Sequence, residues 1–134
     1  MAINSEAQLD RRFMQFVKLL NTYLNHFPKA ERHGLAQQIR NAAYEVYGLI
    51  VECQKRYQKK TTLTNLDIRH EQLRMFIRLA HELGYFEFRG GAKEARAPEQ
   101  LAAQRYLALS RQVDELGRMI GGWIAADRAN RERP

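Results

Sequence analysis

Between Asn65 and Gly84 the chain reads NLDIRHEQLRMFIRLAHELG. Leu66, Leu73, Phe76, Ile77, Ala80 and Leu83 recur at helical spacing, so one face of this stretch is apolar. Beside them His70, Arg74, Arg78 and His81 fall at steps of four, four and three and line a second, basic face. A helix that packs on one side and holds a row of guanidiniums on the other can grip phosphates or an acidic partner.

The same period extends in both directions. A first helix is predicted from about residue 6 to 26, with Leu9, Phe13, Phe16, Val17, Leu20, Tyr23, Leu24 and Phe27 facing inward. Pro28 interrupts it. A second is predicted from about 29 to 59, carrying Leu35, Ile39, Ala42, Ala43, Val46, Ile50, Cys53 and Tyr57 on one stripe. Lys59-Lys60-Thr61-Thr62 breaks that pattern, and Thr64 or Asn65 is placed to cap the third helix, with Asp67 in its first turn. The third is predicted over about 65 to 88. Arg89-Gly90-Gly91-Ala92 reads as the most flexible segment. Pro98 and Glu99 suit the opening of a fourth helix over about 98 to 128. Its inward stripe is Ala102, Tyr106, Leu109, Val113, Leu116, Ile120, Trp123 and Ile124, and a frayed charged tail follows from 127 to 134. No strand-like alternation or repeat is visible. Four amphipathic helices joined by short loops predict an all-α, up-down-up-down four-helix bundle in a single domain, residues 1–134. Stripes wider than a bundle core needs point to an oligomer.

Composition narrows the function. The chain has 134 residues, is 45% hydrophobic, and carries 22 Lys+Arg against 15 Asp+Glu, a net charge of +7. A protein with this surplus favours polyanions or acidic protein surfaces. The lone Cys53 excludes an internal disulfide and a Cys-based zinc site, and its place on an apolar stripe predicts a buried thiol. The first residues lack the apolar core of a signal peptide, and no run approaches membrane-spanning length. The expectation is a cytoplasmic protein with no membrane partner.

The residues of most catalytic and cofactor chemistry are missing. Gly90-Gly91 is not followed by the Lys-Ser/Thr of a phosphate-binding loop. None of His26, His33, His70 and His81 has a Glu three residues before it, as a bundle metal site would want. Ser5 and Ser110 have no plausible histidine partner, and a core-facing Cys53 offers no reactive thiolate. The chain therefore reads as a non-enzyme with no cofactor and no metal. Gly117, Gly121 and Gly122 read as points of close helix approach, each costing about 1 kcal/mol of helix propensity relative to Ala.

The cations remain. Arg74 and Arg78 are either solvated arginines paired with Glu71 or Glu82, or contacts for a partner. Lys55, Arg56, Lys59 and Lys60 either satisfy the C-terminal dipole of helix two or form a basic cluster. Arg11 with Lys18, and Arg111 with Arg118, share faces at a spacing of seven. Such faces suit sequence-independent phosphate contact, with no base-reading motif present. The aromatics sit mostly on core stripes and do not predict a stacking platform. Trp123 reads as an interface anchor, because Ile120 and Ile124 already fill the inward stripe.

Three motifs in order carry a resemblance. Phe27-Pro28-Lys29, Glu31-Arg32-His33-Gly34-Leu35 and Gln38-Ile39-Arg40-Asn41-Ala42 resemble the opening of helix two in a four-helix-bundle family. That family includes proteins encoded in intervening sequences of 23S ribosomal RNA genes and the accessory variability determinant (Avd) proteins of diversity-generating retroelements. Asp67, followed by Leu73-Arg74 and Arg78, is similar to the third-helix pattern of the Avd branch, and Gly117-Arg118-Met119-Ile120-Gly121-Gly122-Trp123-Ile124-Ala125 resembles its C-terminal segment. The resemblance implies a pentameric barrel of four-helix protomers that binds a reverse transcriptase and nucleic acid, template RNA and DNA among them. It also implies a role in mutagenic retrohoming, in which template RNA is copied with adenine-directed errors and the cDNA replaces a variable gene region. Catalysis then belongs to the polymerase. Arg74 and Arg78 occupy the matching arginine positions. With Arg40, Lys55, Arg56, Lys59 and Lys60 they are the candidate nucleic-acid or polymerase contacts, and Trp123 and Ile124 the candidate oligomer interface. The segment Gly34-Leu35-Ala36-Gln37-Gln38-Ile39-Arg40-Asn41-Ala42-Ala43 is closer to the ribosomal intervening-sequence branch. It implies the alternative, a protein-interaction bundle with no nucleic-acid role.

Overall fold

The computed structural model describes residues 2–88 and 97–133. Among these, the structure is helical: α1 (Ala2–Leu24), α2 (Leu35–Lys55), α3 (Lys60–Glu82) and α4 (Pro98–Arg131), with single 3₁₀ turns at Lys29–Glu31 and Tyr85–Glu87. Each helix packs on the next, and α4 closes the ring against α1. This is the expected four-helix bundle. Leu9, Phe13, Phe16 and Leu20 of α1 meet Ile39, Val46 and Ile50 of α2, Leu66, Leu73 and Ile77 of α3, and Leu109, Val113 and Leu116 of α4 in one core. Apart from Tyr57 and Leu83, which are exposed, the observed stripes follow the predicted ones because burying them against one another is what stabilises helices of this length.

Helix ends depart from expectation for local reasons. The 29–34 segment is not the first turns of α2. It forms a 3₁₀ turn, and α2 starts after Gly34, where Glu31 Oε1 accepts a hydrogen bond from the Leu35 N–H at 3.1 Å. That carboxylate satisfies one of the open N–H groups of the new helix. At its other end α2 stops at Lys55, four residues early, because the Lys59 ammonium folds back and donates to the carbonyls of Cys53 and Arg56, the latter at 2.7 Å.

α3 then starts at Lys60, five residues earlier than expected, and neither Thr64 nor Asn65 caps it. Thr62 and Leu63 are buried. The Thr62 hydroxyl donates to Glu52 Oε2 (3.2 Å), and the Thr64 hydroxyl donates back to the Lys60 carbonyl (3.0 Å). Threonines clustered here look like a break in sequence, but the Thr62 and Thr64 hydroxyls are satisfied inside a helix. Gly84, at φ 78°, ends α3 in the left-handed conformation that favours glycine. Its N–H donates to the His81 carbonyl at 3.0 Å. The next turn then carries Phe86 fully into the core, edge-on to Phe27 with ring centroids 5.3 Å apart. Leu83, expected inward, is half-exposed instead.

Pro98 opens α4 as expected, and the helix continues to Arg131, so most of the predicted frayed tail is ordered. An Arg131–Asp127 ion pair of 2.9 Å spans its last turn. Arg89-Gly90-Gly91-Ala92 lies outside the described residues. No described helix is long and apolar enough to cross a membrane.

Candidate nucleic-acid and polymerase interface

The predicted basic row of α3 divides in two. His70 is not part of a basic surface: it is 3% exposed, and its Nε2–H donates to the Val113 carbonyl of α4 at 2.9 Å. Burial holds its pKa below the ordinary histidine value, and Arg74 adds to that effect, so the ring is neutral. His81 also turns toward α4, where it stacks flat on Tyr106, with ring centroids 4.2 Å apart and planes 2° from parallel. The one-face reading failed because steps of four, four and three place these side chains along the seam with α4, where rings are buried and long guanidiniums reach past.

Arg74 and Arg78 do reach the surface. Both line a cleft of about 320 Å³ between α3 and α4, with Met75, Tyr106, Ser110 and Asp114. Arg74 is committed within the chain, 3.2 Å from Glu71 and 2.9 Å from Asp114. These half-exposed pairs contribute no more than about 1 kcal/mol each, and a stronger anion can compete for the guanidinium. Arg78 makes no ion pair or hydrogen bond among the described residues, so its charge is open to a partner.

The α2 cations sit elsewhere. Arg40 fastens α2 to α1 through Asn21 Oδ1 (3.3 Å) and Asn25 Oδ1 (2.7 Å). Lys55, Arg56, Lys59 and Lys60 gather where α2 ends and α3 begins. Within that group Arg56 pairs with Glu52 at 2.7 Å and Lys59 caps α2, while Lys55 and Lys60 are exposed and unpaired among the described residues. Arg56 holds the Glu52 carboxyl below the usual carboxylate range. Because α4 runs antiparallel to α3, its C-terminus arrives at the same end. Lys60 shares a hollow with Arg128 and Arg131. Five cations (Arg56, Lys59, Lys60, Arg128 and Arg131) and three carboxylates (Glu52, Asp127 and Glu132) line the two hollows at this end of the bundle, and Lys55 is the last residue of α2 beside them.

Sequence reasoning did not join α4 to this cluster, because the pairing is set by topology. It also placed Tyr57 on the core stripe of helix two. With α2 ending at Lys55, Tyr57 falls in the connecting loop and is 97% exposed.

Trp123 and Ile124 are half-buried against the core. Trp123 borders an open cleft of about 640 Å³ with Leu9, Met119 and Gly122, and Ile124 borders the hollow beside Lys60. Of the three α4 glycines with an expected packing role, only Gly117 has a neighbour. A Cβ there would stand 3.0 Å from His70 Cε1, whereas Gly121 and Gly122 have nothing within 4 Å. Apolar side chains also remain outside the core: Ile68, Met75, Leu79 and Leu83 run along the outer side of α3, each close to half exposed. Among the described residues no group of three or more His, Cys, Asp or Glu could hold a metal ion.

No curated protein matches the chain. The model of the family described as bAvd-like matches residues 8–126, which spans α2 and α3, most of α1 and α4, and both arginines of the α3–α4 cleft. The chain belongs to the bAvd-like family.

Proposed function

We propose that this protein is the accessory subunit of a diversity-generating retroelement, binding the element's reverse transcriptase and its template RNA to support mutagenic retrohoming. The observation that carries the reading is the bAvd-like family match over residues 8–126. The distribution of charge is consistent with it. Among the described residues Arg78 is unpaired in a cleft, and the bundle end offers Lys55, Lys60 and Arg128 to solvent without partners. Guanidiniums and ammoniums fixed on packed helices neutralise phosphates with little loss of side-chain freedom on binding, and so can hold RNA and polymerase in one particle. In this reading the polymerase performs the chemistry and this chain supplies none.

The functional unit is a homo-oligomer, a pentamer by the resemblance to Avd proteins. Partly buried Trp123 and Ile124, the uncovered glycines of α4 and the apolar outer side of α3 support an assembly, because a monomer leaves apolar surface in water. Its place of action is the cytoplasm.

The test is capture of the reverse transcriptase encoded beside it, together with template RNA. Arg78→Glu is the cleaner variant, since Arg74→Glu also breaks the pairs to Glu71 and Asp114. The double variant, folded but unable to retain either partner, supports the proposal. Full retention of both by the double variant contradicts the assignment to these arginines.

A further inference from the structure

We infer that the end of the bundle formed by the α2–α3 loop and the last turns of α4 is a single-stranded nucleic-acid contact, in which the Tyr57 ring stacks on a base. The inference rests on the RNA-binding reading above and specifies its mode.

Tyr57 is 97% exposed, far more than any other large hydrophobic side chain described. Among the described residues nothing covers either face of the ring. The loop that carries it is nevertheless fixed. Lys59 Nζ ties it to the carbonyls of Cys53 and Arg56, Arg56 is held by Glu52 at 2.7 Å, and Glu52 also accepts from Thr62 at the start of α3. A ring displayed from a pinned loop loses little conformational freedom when something binds to it.

Its surroundings are cationic and roomy. Lys55 and Lys60 flank the loop, and Arg128 faces Lys60 from α4; none of the three has an internal ion pair among the described residues. Beside the ring lies a hollow of about 1040 Å³, bordered also by Asn65, Asn130, Arg131 and two carboxylates, Glu52 and Asp127, which are taken up by ion pairs with Arg56 and Arg131. Unpaired cations around an open aromatic ring match the way single strands are held, with phosphates on the charges and bases on the ring. A duplex offers the phosphates but keeps its base faces stacked inside, so the ring discriminates in favour of unpaired strands.

The experiment measures binding of a fluorescent oligouridylate, an abasic strand of equal length and a blunt duplex RNA at low ionic strength. Wild type is compared with Tyr57→Phe and Tyr57→Ala, and thermal melts establish that both variants are folded, as expected for a side chain with no packing partners. On oligouridylate, Tyr57→Phe binds like wild type and Tyr57→Ala about tenfold more weakly, a loss within the range of one base–aromatic stack. On the abasic strand the two variants bind alike, and wild type prefers oligouridylate to it. Equal binding of oligouridylate by Tyr57→Ala and wild type overturns the stacking site while leaving the RNA-binding reading intact. So does loss of polymerase capture with oligonucleotide affinity unchanged, which assigns the ring to a protein partner. Failure of wild type to bind any of the three nucleic acids removes the underlying reading as well.

Discussion

His70 and Gly117 occupy one space in the α3–α4 seam: the imidazole Cε1 lies 3.0 Å from where a Cβ on Gly117 would stand. The ring cannot easily move away, because it is 3% exposed and its Nε2–H is bonded to the Val113 carbonyl at 2.9 Å. Gly117→Ala gains about 1 kcal/mol of helix propensity. Against that stands overpacking, which costs about 1–3 kcal/mol. The expected net result in urea unfolding is a loss of about 1 kcal/mol. Gly121→Ala is the control: with nothing within 4 Å of the new methyl, the propensity gain is uncompensated and the protomer becomes about 1 kcal/mol more stable.

The same histidine makes stability depend on pH. Burial lowers its pKa from the ordinary 6.5; the bond to the Val113 carbonyl, with Asp67 and Glu71, pulls the other way without reversing it, and Arg74 reinforces the lowering. Above that value the ring is neutral both folded and unfolded, and contributes no pH dependence. Below it the unfolded chain takes up a proton that the folded chain refuses, so stability falls with a slope of up to about 1.4 kcal/mol per pH unit. Melting temperature is expected to drop as pH goes from 6.5 toward 5. His70→Gln flattens this interval. Glu52 and Glu115, held below the ordinary 4.5 by Arg56 and Arg118, add their losses only at more acidic pH.

Cys53 is fully buried, and burial pushes its thiol pKa up to about 11. The thiolate that reacts with disulfide reagents is therefore scarce as well as covered. The native protein is expected to leave Cys53 unlabelled by an aromatic disulfide reagent over the time in which the denatured chain reacts completely.

Lys59 acts as a cap. Replacing it by Met keeps the aliphatic stem and removes the bonds to the Cys53 and Arg56 carbonyls. The expected cost is about 1 kcal/mol in chemical unfolding. Hydrogen exchange should rise locally at the end of α2 and the start of α3, with the rest of the bundle unchanged.

These residues show what a single chain makes legible. The core stripes follow from periodicity alone, because Leu66, Leu73 and Ile77 have no other way to leave water. Ends that depend on one side chain reaching another were not readable: Glu31 bonding to Leu35, Lys59 folding back over α2, and Thr62 finding Glu52. Phe86 escaped notice because it enters the core from a 3₁₀ turn, outside any helical stripe. In the candidate site, Arg74, Arg78 and the Lys55–Lys60 cluster were found by spacing. The Arg74–Glu71 pair was also legible from spacing, but that His70 is buried, that Arg74 also pairs with Asp114 and that Arg128 joins Lys60 are consequences of how α4 packs, which spacing along one helix does not contain.

On the function proposed above, fixed positive charge on this bundle holds an RNA strand. The most direct measurement is the affinity for template RNA across a salt series, for wild type and for a variant combining Arg78→Glu with Lys60→Glu. The logarithm of the wild-type association constant is expected to fall linearly with the logarithm of salt concentration, by about 0.7 per phosphate neutralised on a single strand, and the folded variant to bind more weakly with a shallower slope. A wild-type protein that binds no RNA at low salt, or whose affinity is indifferent to salt and to both substitutions, contradicts it.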